Sequence, residues 1–252
     1  MGYVDLAPVR DNRINFVDKW IDEVTRNCVL YLPLYKLPGA SFKSLDAYGH
    51  LATVTGALWT PQGRTFDGLD DNISIPDAPS LSFGDGSTDS PFSVGIWVKI
   101  ADISADGKTL VCKWDNDVAF MTEWLFNLSA SRLYLNLFDG ATGAAYIGRN
   151  TPLLDDYDDM WMFLYATYDG SRTSEGSKIY LDASRIDNLN ISAGAYTAMH
   201  DSNQAVLIGA RTTNAVLGQL TKGTFGEVWT DNRVLTLAEI QRIYNLTKWR
   251  YR

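Results

Sequence analysis

A chain of 252 residues that is 46% hydrophobic and 21% charged can bury a sizeable core, which excludes wholesale disorder. Its 30 acidic and 22 basic residues leave a net charge of −8, the wrong sign for binding nucleic acid by displacing counterions from phosphates. Two cysteines, Cys28 and Cys112, make neither a disulfide framework nor a metal-ligand spacing, which leaves a single bridge or two free thiols as alternatives.

The opening MGYVDLAPVRDN has no basic n-region and no apolar h-region, and no stretch approaches about 18 consecutive apolar residues. This predicts a protein made without a signal peptide and without membrane insertion, either carried on a virion or extracellular particle or kept in the cytoplasm. Over 15–27, Phe16, Trp20, Ile21 and Val24 recur at helical spacing while Asp18, Lys19, Asp22, Glu23 and Arg26 take the other faces. The spacing predicts a short amphipathic helix in an N-terminal arm, 1–27. Its stripe packs on the rest of the chain or serves as an assembly contact, with Phe16, Trp20, Ile21 and Val24 as anchors.

From Cys28 onward the texture changes to short runs rich in β-branched and aromatic residues, among them VLYLPLY, NISIP, FSVGIWVKI, KTLVCKW, WLFNLSA, RLYLNLFD, MWMFLYATYD, KIYLD and GEVWT. Turn formers such as PGAS, DGLDD, GDGSTDSP, DGATG and NAVLG separate them. In FSVGIWVKI, Phe92, Val94, Ile96, Val98 and Ile100 share one face and Trp97 and Lys99 the other. About a dozen strands, with no helix alternating between them, predict an all-β, two-sheet antiparallel jelly-roll sandwich over 28–252. Near the end, Thr236 followed by Glu239 makes a capping box. Leu237, Ile240, Ile243, Tyr244 and Leu246 then form the apolar stripe of a C-terminal helix.

VLYLPLY, DAYGH, TGALWTPQGRTFDGLDDNISIP and FSVGIWVKI, in that order, resemble the first half of a laminin-G-like, concanavalin-A-like lectin/glucanase jelly roll. MWMFLYATYDG, KIYLD, VLIGA and GTFGEVWTDNRVLTLAEIQRIYN resemble its second half, so the likeness runs from about Cys28 to Tyr244. It implies the fold much more specifically than a function, because this sandwich hosts lectins, adhesion modules, enzyme-appended domains and virion proteins.

Asp67, Asp70 and Asp71 cluster carboxylates on one turn, as a hard cation such as calcium requires; turn capping through Asx hydrogen bonds is the alternative. The resemblance adds Glu227 as a further ligand of a structural calcium, although Gly226 stands where the family has Asp. Asp46 and His50 lie just upstream, in a surface turn or in the same corner. The paired carboxylates of a glycoside hydrolase are not reproduced: Trp229 sits between Glu227 and Asp231, and LLDDYDDMW reads as an acidic loop. No catalytic residues are therefore assigned and no enzyme is expected. Aromatic side chains remain as carbohydrate candidates, because a pyranose stacks its apolar face on a ring. They are Trp114, Trp97, Tyr146 and Trp229, with Tyr134 and Trp124 behind them, and core packing is the competing role for each. Trp114 leads because it ends a strand at the polar turn KWDNDV.

Two functions follow. The first is a non-catalytic structural or adhesive module decorating a phage-like particle, partnered by capsid or other assembly subunits or by further copies of itself. The alternative is a lectin-like module that binds a glycan or cell-surface ligand and holds structural calcium.

Overall fold

The computed structural model describes residues 25, 27–116, 121–140 and 145–251. The N-terminal helix predicted over 15–27, with its contacts Phe16, Trp20, Ile21 and Val24, lies outside them except at Thr25 and Asn27. The first strands are β1 (Cys28–Pro33), β2 (Ser41–Lys43), β3 (Leu51–Thr55), β4 (Leu58–Thr60), β5 (Gly63–Asp67) and β6 (Asn72–Ile75). The longest follow: β7 (Phe92–Ile100), β8 (Lys108–Asp115), β9 (Met121–Ser129), β10 (Arg132–Asp139), β11 (Ala145–Asn150) and β12 (Trp161–Tyr168). After them come β13 (Ser177–Leu181), β14 (Ser184–Arg185), β15 (Asn190–Ala193), β16 (Val206–Ile208), β17 (Arg211–Thr213), β18 (Val216–Gly218), β19 (Lys222–Asp231) and the helix α1 (Leu237–Thr247).

Eight of these strands form one sheet in the order β14-β13-β12-β7-β19-β5-β4, with β1 sharing the β5 edge of β19. Eleven form the other, β15-β11-β10-β9-β8-β16-β6-β3-β2, with the β17–β18 hairpin attached at the end of β8. Pairing is antiparallel apart from one parallel bridge between Thr212 and Asp115. Mostly β, in two antiparallel sheets with a C-terminal helix, the architecture is the predicted sandwich. Its additional strands are short edge pieces such as β2, β4, β14, β17 and β18. Three of the hairpins, at Ala130–Ser131, Asp182–Ala183 and Asn214–Ala215, put both central residues at positive φ without a glycine, so the usual Asn-Gly signal is missing there.

Alternation decides what each sheet buries. In β10, Leu133, Leu135 and Leu137 enter the core, each worth roughly 2 kcal/mol of burial, while Tyr134, Asn136 and Phe138 stay half-exposed on the outer face. In β7, Phe92, Val94, Ile96, Val98 and Ile100 enter the same core, and Phe92 stacks on Phe83 at 4.4 Å beside Trp124. Trp97 points to the opposite side and joins Tyr31, Phe163, Tyr165 and Trp229 in a second cluster beneath α1.

The capping box forms as predicted: Thr236 Oγ1 accepts from Glu239 N–H, and Glu239 Oε2 accepts from Thr236 N–H. Ile240 and Ile243 are buried, but Leu237, at the first helical position, is 44% exposed. At the other end of the helix Thr247 completes the buried stripe, and its hydroxyl receives the Trp97 indole N–H at 2.8 Å. Beyond the helix, Tyr251 stacks on Trp97 at 4.6 Å and closes the layer. Cys28 and Cys112 are free and buried. Among the described residues no helix is long and apolar enough to cross a membrane.

Candidate functional site

The outer face of the eleven-stranded sheet carries a groove of about 250 Å³. Its floor follows from the alternation that fills the core. With Trp124, Phe126 and Leu128 turned inward, β9 presents Leu125, Asn127 and Ser129 outward. Register places Tyr134 opposite Asn127, Asn136 opposite Leu125, and Phe138 opposite Tyr146. Ile191 of β15 forms one wall, and Arg211 and Gln219, at the two ends of the β17–β18 hairpin, form the other.

The aromatic side chains make a continuous strip. Trp114 meets Phe138 edge-on at 4.4 Å, and Phe138 meets Tyr146 at 5.6 Å. The Arg211 guanidinium lies over the Trp114 ring at 4.8 Å. Polar groups line the same face, with Asn136 Nδ2 donating to Asn127 Oδ1 at 3.3 Å. Three buried polar atoms here have no hydrogen-bond partner: Trp114 Nε1, Arg211 Nε and Gln219 Oε1. Burial lowers the Arg211 pKa from its ordinary value and pushes the neighbouring Cys112 thiol up to about 12, so the thiol is unreactive. Flat rings bordered by amides and unsatisfied donors suit a ligand with apolar faces and hydroxyl edges.

Of the predicted aromatic candidates, the structure brings Tyr146 and Tyr134 into the groove, leaves Trp114 buried on the same face behind Phe138 and Arg211, and sends the rest elsewhere. Trp97 and Trp229 are corrections. They are 3% and 2% exposed, because α1 and the tail cover the face on which they stand. Trp229 stacks on Tyr31 at 5.9 Å and meets Phe163 edge-on. Trp124 is interior. Asn127, Asn136, Phe138, Arg211 and Gln219 were not singled out in the sequence. Alternation along RLYLNLFD marks Asn136 and Phe138 as sharing a face with Tyr134, whereas only the fold brings in the hairpin.

The acidic corner forms in part. Asp67, Asp70 and Asp71 each offer an oxygen within 4.8 Å of the others and could hold a metal ion. Asp71 is buried and its carboxyl is raised, by burial first and then by Asp67 and Asp70. Gly56, at φ +73°, makes room for it, since a Cβ there would lie 1.7 Å from Asp71 Oδ1. Turn capping uses the same carboxylates: Asp67 N–H donates to Asp71 Oδ2 and Leu69 N–H to Asp67 Oδ1, each at 2.7 Å. Glu227 does not join the cluster. Fully buried, it accepts from Tyr31 Oη at 2.9 Å and Tyr251 Oη at 3.0 Å and pairs with Arg250. Gly226, the position where the family carries Asp, lies under the Tyr251 ring, and a Cβ would come within 2.4 Å of it. The tail thus occupies the space a second acid would need. Asp46 caps its own turn, accepting from Tyr31, Tyr48 and Gly49 N–H, and His50 Nε2 pairs with Ser80 Oγ at 3.0 Å.

The carboxylates weighed for hydrolysis are engaged elsewhere. Asp231 accepts from Tyr165 Oη at 3.2 Å beneath α1, in the same closed layer as Glu227. In the acidic loop, Asp158 caps Ile103 N–H at 2.7 Å and Asp159 pairs with Lys99 at 3.0 Å. Glu123, fully buried, pairs with the equally buried Lys113 at 2.7 Å.

Residues 66–241 match the profile of the concanavalin A-like lectin/glucanases superfamily, and the chain belongs to that family. No match was found among curated proteins. Solved structures of similar fold include the binding domain of Paraclostridial Mosquitocidal Protein 1, at 16% identity and TM-score 0.64 over 88% of this chain and 52% of that one. The binding domain of botulinum neurotoxin DC in complex with SialylT is 14% identical, with TM-score 0.63 over 88% and 52% of the two chains. The botulinum neurotoxin serotype D ligand binding domain in complex with N-acetylneuraminic acid is 11% identical, with TM-score 0.62 over 90% and 52%. The chain spans about half the length of these structures, and at such identities the likeness is one of fold.

Proposed function

We propose that this chain is a non-catalytic carbohydrate-binding module that holds a glycan in the groove across β9, β10 and β11. The observation that carries this reading is the half-exposed pair Phe138–Tyr146 in the groove, backed by the buried Trp114 and flanked by Asn127, Asn136 and Gln219. Sugars bind by stacking on rings and exchanging hydroxyl hydrogen bonds with fixed amides. The superfamily includes lectins, and the similar structures are toxin binding domains, two of them in complex with SialylT and N-acetylneuraminic acid. Those comparisons favour a glycan-binding role over decoration of a phage-like particle, a reading that rested on the arm 1–27. Among the described residues that line the groove there is no carboxylate of the kind hydrolysis would need. A glycan array probed with the wild-type chain and Tyr146→Ala tests the proposal. Binding that disappears in the variant is expected, and silence of the wild type across the array would contradict it.

The Asp67, Asp70 and Asp71 corner fits a hard cation by its donor set, three carboxylates and no thiol or imidazole, and would take calcium as a structural ion. Because a ligand that binds only the folded state stabilises it, millimolar calcium should raise the melting temperature relative to chelator, and Asp71→Asn should abolish the difference. Equal melting temperatures in calcium and chelator would leave the three aspartates as turn caps.

A further inference from the structure

We infer that the groove prefers acidic glycans, with Arg211 receiving a carboxylate or sulfate group; this rests on the carbohydrate-binding reading. Among the described residues that line the groove, Arg211 is the one that carries a charge. It also differs from the other arginines. Arg149, Arg185, Arg233 and Arg250 pair with carboxylates. Arg64, Arg132 and Arg172 donate to backbone carbonyls. Among the described residues Arg211 has neither kind of partner; its contact is the Trp114 ring, and its Nε is buried and unpaired.

Among the described residues no carboxylate pairs with Arg211, so in a chain of net charge −8 its half-buried guanidinium is available to an anion. Asp115, the acid at the end of β8, accepts instead from Ala215 N–H at 3.4 Å. The site is also held in place. Thr212 Oγ1 donates to Trp114 O at 2.9 Å, tying the hairpin that carries Arg211 to the strand that carries its stacking partner. With its Nε buried, the fork held over the indole meets a carboxylate or sulfate through its terminal amino groups at the groove wall, and the sugar ring then continues along Phe138 and Tyr146. Lysine would supply the charge without the fork.

The experiment is an array of neutral, sialylated, uronate-containing and sulfated glycans, followed by titration of the best hits, with wild type, Arg211→Gln, Arg211→Lys and Tyr146→Ala. Circular dichroism confirms that each variant is folded. Acidic glycans should bind the wild type roughly ten- to hundredfold more tightly than their neutral parents, as expected for charge-assisted hydrogen bonds. The advantage should vanish in Arg211→Gln and return only in part in Arg211→Lys, while the sialylated and sulfated arms separate carboxylate from sulfate. Tyr146-dependent binding of neutral and acidic glycans alike, or an acidic preference that survives Arg211→Gln, would overturn the role of Arg211 and leave the carbohydrate-binding reading standing. No binding to any glycan would overturn both.

Discussion

The two outer faces of the sandwich carry similar aromatic material and differ in what lies over it. On the eight-stranded sheet, Trp97, Phe163, Tyr165 and Trp229 pack beneath α1, and Tyr251 and the Glu227–Arg250 pair seal the edge. On the eleven-stranded sheet, Trp114, Phe138 and Tyr146 form a second strip in which Trp114 is buried beneath Arg211 while Phe138 and Tyr146 stay half-exposed, and among the described residues no helix lies above it. On the first face each ring's 150–250 Å² of surface contributes to stability, whereas on the second part of it stays available to a ligand. Among the described residues, those after β19 supply most of the covering layer and so make this division. Aromatic enrichment on a strand face therefore signals a surface that needs covering; whether the cover is the chain itself or a ligand is settled elsewhere in the molecule.

Substitution of one ring from each face breaks the symmetry most visibly. Trp229→Ala opens a cavity under α1 and should cost about 3–5 kcal/mol, lowering the melting temperature by about 10 °C, with glycan affinity unchanged in the protein that remains folded. A loss of glycan affinity at constant stability would mean that the covered face is the functional one. The second test uses pH. Burial raises the Asp231 carboxyl to about 7 from its ordinary 3.8, against the pull of Arg233 and the Tyr165 hydroxyl. The folded state therefore holds this proton more tightly than the unfolded state does. Its stabilising contribution is complete below about pH 4 and is lost as pH rises through 7, a difference on the order of 4 kcal/mol. Denaturant unfolding between pH 5 and 8 should show stability falling with pH in the wild type and a flatter profile in Asp231→Asn; an unchanged slope in the variant would remove Asp231 as the cause. The smallest stability effect belongs to the open face: Tyr146→Ala should change unfolding free energy by less than about 1 kcal/mol, as surface substitutions do, while weakening glycan binding tenfold or more.

Most of the sandwich was legible in the sequence, because alternation such as that of Phe92–Ile100 encodes burial directly. The capping box at Thr236 and Glu239 was equally local. The short edges escaped: β4, β14 and β18 hold two or three residues each, too few to show a period, and the turns of β14 and β18 lack the expected glycine. The site was half legible for a related reason. Tyr146, Tyr134 and Trp114 could be proposed by residue type, but Trp97 and Trp229 looked identical, and the helix that buries them lies far along the chain from Trp97. Arg211 and Gln219 enter the groove only through the attachment of the β17–β18 hairpin to β8, a contact of high sequence separation with no periodic signature. Glu227 was misplaced because the family pattern assigns it to a metal, whereas here Arg250 and Tyr251, at the end of the chain, claim its carboxylate.

The most direct measurement is an amide chemical-shift titration of the isotope-labelled protein with the best glycan from the array. Perturbations concentrated at Asn127, Tyr134, Asn136, Tyr146 and Gln219, with α1 and Trp229 unmoved, are the predicted result. Shifts confined to α1, to the Asp67–Asp71 corner or to the loops would place binding elsewhere and contradict the division of labour between the two faces.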